Sequence, residues 1–143
     1  MKKRTMKFLY SIAAALFLLL TAALPAEAAQ NWMQVYAHVE QMINKGVEQY
    51  NNGDLEGAKK IINDSYYGVY ENDGLEKAIR TTISSKNANL TEYQYSELKK
   101  AIRENRGKDE VRGEADKLLS MMKNDIESLD SKGAGGGRWT SFW

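Results

Sequence analysis

Between residues 64 and 80 the chain places four carboxylates (Asp64, Glu71, Asp73, Glu76), three tyrosines (Tyr66, Tyr67, Tyr70) and Arg80 around one turn signal, Asn72-Asp73-Gly74. Oxygen donors of this kind suit hard cations: ferric iron takes carboxylate and phenolate oxygens, and Ca²⁺ accepts the carboxylates. Glu71 and Glu76 are the first candidate ligands, and Asp64, Tyr67 and Tyr70 the second. The spacing lacks the alternating acidic positions of a calcium loop, and Glu71 and Glu76 equally suit the acidic ends around a capped helix. Arg80 stands four residues after Glu76, the separation of a helix-surface ion pair, so it would hold carboxylates in place rather than bind metal. The tyrosines equally suit packing, with their hydroxyls reaching water or a carboxylate.

Other chemistry is poorly provided for. The one histidine, His38, falls mid-helix with no carboxylate four residues away, there is no cysteine, and no cofactor loop is recognisable, so an enzyme is not expected. The charges of Glu97-Leu98-Lys99-Lys100-Ala101-Ile102-Arg103-Glu104 read as a solvated helix face, and Met121-Met122 as core packing rather than a soft-metal site.

The elements that must position the turn follow from punctuation and periodicity. Lys2, Lys3, Arg4 and Lys7 precede a 17-residue, mostly apolar run from Phe8 to Leu24, then Pro25 and the small-x-small Ala26-Glu27-Ala28. This is the layout of a signal peptide spanning residues 1–28, with cleavage before Ala29, and it implies export to the cell surface or beyond. The run is at the short end of what crosses a bilayer. Removing it takes away four of 20 basic residues and one of 19 acidic ones, leaving a net charge of −2 on 115 residues, so no basic footprint for nucleic acid is expected. That length suits one small domain, over residues 29–131.

Asn31 caps a first helix reaching about Tyr50, with Trp32, Val35, Val39, Met42, Ile43 and Val47 forming its apolar stripe. Asn51-Asn52-Gly53-Asp54 is a turn in which Gly53 adopts a left-handed conformation and Asp54 caps a second helix over about 55–70. A third helical pattern starts at Leu75. With no proline or glycine before Arg106, it reads as one long helix with room for a bend near Asn87 to Thr91; Thr91-Glu92-Tyr93-Gln94 offers a capping box and hence a fresh start instead. After Gly107, Asp109 caps a last helix carrying Val111, Ala115, Leu118, Met122, Ile126 and Leu129 on one seam. The fold class is therefore all-α, an antiparallel four-helix bundle. It is followed over 132–143 by a glycine-rich flexible tail with an aromatic end, Trp139, Phe142 and Trp143; three aromatics do not make a transmembrane helix.

Several landmarks bear on family: Ile62-Asn63-Asp64-Ser65-Tyr66-Tyr67-Gly68-Val69-Tyr70-Glu71, Gly74-Leu75-Glu76-Lys77-Ala78-Ile79-Arg80, Ile83-Ser84-Ser85-Lys86 and Glu97-Leu98-Lys99-Lys100-Ala101-Ile102. On these the chain resembles the N-terminal extracytoplasmic region of bacterial high-affinity iron permeases of the Ftr/EfeU type. The resemblance implies an accessory domain outside the membrane, with iron as cargo and a membrane permease subunit as partner. It does not imply transport by this chain, which contains none of the Arg-Glu-x-x-Glu motifs that the family's membrane helices carry. A helical interaction module without metal, or a truncated remnant of a permease, are the alternative expectations.

Overall fold

The computed structural model describes residues 31–134; the predicted leader and the aromatic tail lie outside the described residues. Among these residues every regular element is helical, and the all-α class holds. The elements are α1 (Trp32–Asn51), α2 (Leu55–Asp64), α3 (Leu75–Ala78), α4 (Ser85–Arg103) and α5 (Lys108–Ser131). α2 runs on as a π-helix over Ser65–Glu71, and α3 does the same over Ile79–Ile83.

Two predicted caps form. Asn31 Oδ1 accepts from the Gln34 amide at 3.2 Å, and Asp54 Oδ1 from the Gly57 amide at 2.8 Å. Each satisfies one of the free N–H groups that every helix start leaves. Gly53 takes φ +87°, the left-handed conformation that its turn requires.

The long third helix does not form. At Ser84 the backbone is extended (φ −171°, ψ 154°), and Ser84 Oγ caps α4 by accepting from the Asn87 amide at 3.1 Å. The physical reason lies just upstream. Thr81, Thr82 and Ile83 are β-branched and weak helix formers, and Thr81 Oγ1 turns back onto the Lys77 carbonyl at 2.8 Å. Serine then offers the chain a cap in place of another helical turn. Thr91, the alternative start, is instead buried within α4. A second correction concerns α5: its N-cap is Gly107 (φ +104°), with no side-chain cap bond, and Asp109 sits in the first turn, where its charge complements the helix N-terminus.

α1 packs against α2 and α5, α4 against α5 and α2, and the second π segment against α4 and α5. Neighbours along this circuit are antiparallel: Asn87 meets Asp125 and Gln94 meets Glu114 across α4 and α5, while Arg112 meets Asn44 across α5 and α1. All six predicted seam residues of α5 are fully buried, joined by Ile43, Ile62, Leu75, Ile79, Leu98 and Ile102. Each large aliphatic side chain buried in this way contributes about 1.5–3 kcal/mol relative to exposure.

Two polar ties close the ends. Tyr50 Oη donates to Asn105 Oδ1 at 2.7 Å and accepts from the Gly107 amide at 2.9 Å, fixing the α4–α5 turn. Trp32 Nε1 donates to the Ala134 carbonyl at 2.9 Å, joining the start of α1 to the segment just after α5. No helix among the described residues is long and apolar enough to cross a membrane.

Candidate functional site

The predicted turn is bracketed by the two π-helical segments. The wider π winding is uncommon and recurs at functional positions, because it shifts side chains out of the ordinary helical register. Here Val69 and Tyr70 both face inward, Tyr67 and Glu71 outward, and Gly74 (φ +82°) turns the chain into α3. The last π turn closes when the Ser84 amide reaches the Ile79 carbonyl five residues back, at 3.1 Å.

Four tyrosines make the floor of the site. The Tyr66 ring lies 4.8 Å from Tyr67 and 5.0 Å from Tyr95, both edge-on, and 5.8 Å from Tyr70; Tyr70 and Tyr95 are 5.7 Å apart. Centroid separations in this range are those at which aromatic pairs attract beyond simple burial. Ser65 Oγ, itself buried, lies 3.3 Å from Tyr95 Oη.

Above this floor Arg80 gathers three partners. Its Nε and Nη2 donate to one oxygen of Glu76 at 2.9 and 2.7 Å, Nη2 also to Glu92 Oε1 at 2.5 Å, and Nη1 to Asn89 Oδ1 at 3.0 Å. The predicted Glu76–Arg80 pair therefore forms, and α4 supplies a second carboxylate to it. Because one nitrogen serves both acids, their oxygens are no farther apart than the sum of those two bonds.

The charge of the cluster is not balanced. Burial pushes the Glu92 carboxyl up; Arg80 works against this, and the neighbouring carboxylates of Glu76 and Glu71 add to it. Tyr70 is completely buried and its hydroxyl has no hydrogen-bond partner among the described residues. Burial first, then the charges of Glu76 and Glu92, hold its proton far above the ordinary phenol range. Tyr66 is raised too, by burial and then by the Glu71 carboxylate that its hydroxyl faces.

Of the predicted ligands, Glu76 lies near enough for its charge to act on the Tyr70 phenol, and Glu71 faces the Tyr66 hydroxyl. Asp64 is engaged elsewhere, paired at 2.5 Å with Lys60 on an exposed face of α2. Tyr67 is largely solvent-exposed, at 58%. Among the described residues no three carboxylate, imidazole or thiol side chains converge as a metal cage. Glu92 was missed by the sequence reading. It stands 12 residues beyond Arg80 on what reads as a continuing helix, and only the break at Ser84 folds it back.

Asp125, the one buried carboxylate among the described residues, lies between α4 and α5. It accepts from Asn87 Nδ2 at 2.7 Å and weakly from Thr91 Oγ1 at 3.5 Å, has no cationic partner among the described residues, and lines a cleft of about 180 Å³ with Asn87, Leu90, Met121 and Asn124. Burial raises its carboxyl above the usual range, against the two hydrogen bonds that lower it.

Comparison with protein-family models, curated proteins and solved structures finds no match to this chain.

Proposed function

We propose that this chain is the extracytoplasmic accessory domain of an iron-uptake system, presenting iron to a membrane permease or organising the permease's outer face, without transport activity of its own. The observation that carries the reading is the pairing of Glu76 and Glu92 on a single nitrogen of Arg80, beside the unpartnered Tyr70 hydroxyl. Two carboxylates against one guanidinium leave negative charge in a half-buried setting, which favours a hard cation. Iron would draw on the oxygens of Glu76 and Glu92 and on Tyr70 in place of Arg80, with Glu71 at the solvent edge. Two of the four sequence landmarks on which the chain resembles iron permeases fall on this same turn, and that resemblance is what suggests iron as the cargo.

Calorimetric titration of the mature protein with iron, corrected for hydrolysis, tests the proposal. Saturable binding that disappears in a Glu76→Gln, Glu92→Gln double variant is expected, and loss in the Glu71→Ala, Glu76→Ala variant should follow. Equal binding by wild type and both variants, or none by wild type, overturns it.

The bond from Arg80 to Asn89 favours a second reading, a helical interaction module in which Arg80 locks α3 to α4. Under that reading the same variants lose thermal stability and show no metal-specific change.

A further inference from the structure

On the other side of the tyrosine floor, α2 and α4 enclose a cleft of about 420 Å³ lined by Lys59, Asn63, Ser96, Lys99 and Arg103. Its lining contains three cationic side chains, one amide and one hydroxyl, and no carboxylate. Such a composition is not a consequence of overall charge, since the whole chain carries only +1. Ser96, Lys99 and Arg103 follow at three- and four-residue steps on one face of α4, and Lys59 and Asn63 at a four-residue step on α2.

The cations differ in how they are held. Lys59 has a partner in Glu56 at 2.6 Å, and Arg103 only a distant one in Glu104 at 3.9 Å. Lys99 has no carboxylate within ion-pair distance among the described residues; its ammonium lies over the rings of Tyr66 and Tyr67, at 5.2 and 5.9 Å from their centroids. An ammonium stationed on two aromatic faces is positioned without being neutralised. Arg103 adds a planar fork suited to carboxylate or phosphate oxygens, and Asn63 and Ser96 add neutral donors.

We infer that this cleft binds a small oxyanion bearing two or more carboxylate or phosphate groups, with Lys99 and Arg103 as the principal contacts and Lys59 as the third. The inference stands apart from the iron proposal, because none of the five lining residues belongs to the Glu76–Glu92 cluster. Tyr66 and Tyr67 are common to both sites, their rings beneath Lys99, with the Tyr66 hydroxyl toward Glu71.

The test uses the mature chain freed of metal. Citrate and inorganic pyrophosphate are titrated at constant ionic strength and followed by amide chemical shifts, with vesicles of anionic or zwitterionic phospholipid as a separate arm. Saturable shifts centred on residues 59, 63, 96, 99 and 103 are expected. A Lys99→Gln, Arg103→Gln double variant should lose tenfold or more in affinity, about what the loss of one charge-assisted contact gives. Ser96→Glu, which puts an acid into the cleft, should abolish binding without unfolding the exposed face. A Lys117→Gln, Lys123→Gln control on α5 should bind as the parent does. Absence of saturable shifts, an equal loss in the control, or binding to anionic vesicles without binding of either free anion overturns the inference.

Discussion

Arg80 and Glu92 meet at 2.5 Å across the one extended residue, Ser84, that separates α3 with its π extension from α4. The pair therefore pins together two helical segments that the backbone itself does not join in one rod. Replacing Arg80 by Met leaves Glu76 and Glu92 facing each other without a cation. The midpoint of thermal unfolding should fall at pH 7, and the deficit should shrink on acidification, as protonation removes the repulsion. Melting curves at neutral and acidic pH read both effects; a deficit independent of pH would point to lost packing of the arginine stem instead.

Asp125 offers the clearest titration. Its folded pKa is raised, so its contribution favours the folded state below the unfolded value and is lost as pH rises through the raised one. At neutral pH it is therefore a cost. Asp125→Asn keeps the shape and an acceptor for Asn87, and should stabilise the protein at pH 7. The advantage should vanish below about pH 4, where the native aspartate is protonated. Chemical denaturation across that range measures it.

Tyr70→Phe removes a buried hydroxyl that has no partner, so it should leave stability unchanged or raise it by about 1 kcal/mol. If Tyr70 is a donor to iron, the same variant should bind iron more weakly. Opposite movement of melting temperature and iron affinity is a pattern that a purely structural hydroxyl would not produce.

The cap at Ser84 can be removed without touching the core. Ser84→Ala deprives the Asn87 amide of its acceptor and should cost about 1 kcal/mol in urea unfolding. Hydrogen exchange should localise the change to the first turn of α4. A smaller cost, below a few tenths of a kcal/mol, would mean that tertiary contacts alone set the break.

Much of the fold was legible because its signals are local. The stripes of α1 and α5, the caps at Asn31 and Asp54, and the left-handed Gly53 each depend on residues within one or two turns of each other. The break at Ser84 was not read, because its signal was of another kind. The absence of proline and glycine suggested continuity, whereas the β-branched run at residues 81–83 and the following serine weakened the helix by competition rather than prohibition. At the opposite end, Gly107 supplied the backbone of a helix start that the sequence assigned to the Asp109 side chain.

The sequence by itself determined the all-α class, the interhelical turn and the Glu76–Arg80 pair, since helical periodicity and a four-residue step are properties of a single segment. Tertiary structure decided which acids share Arg80. Glu92 joins because the chain reverses at Ser84, and Asp64 is absent because Lys60 engages it one helical turn away. The depth of Tyr70 and the cation-rich, carboxylate-free lining shared by α2 and α4 were likewise set only when helices packed, because burial and the convergence of charge depend on distances through space that no spacing along the chain encodes.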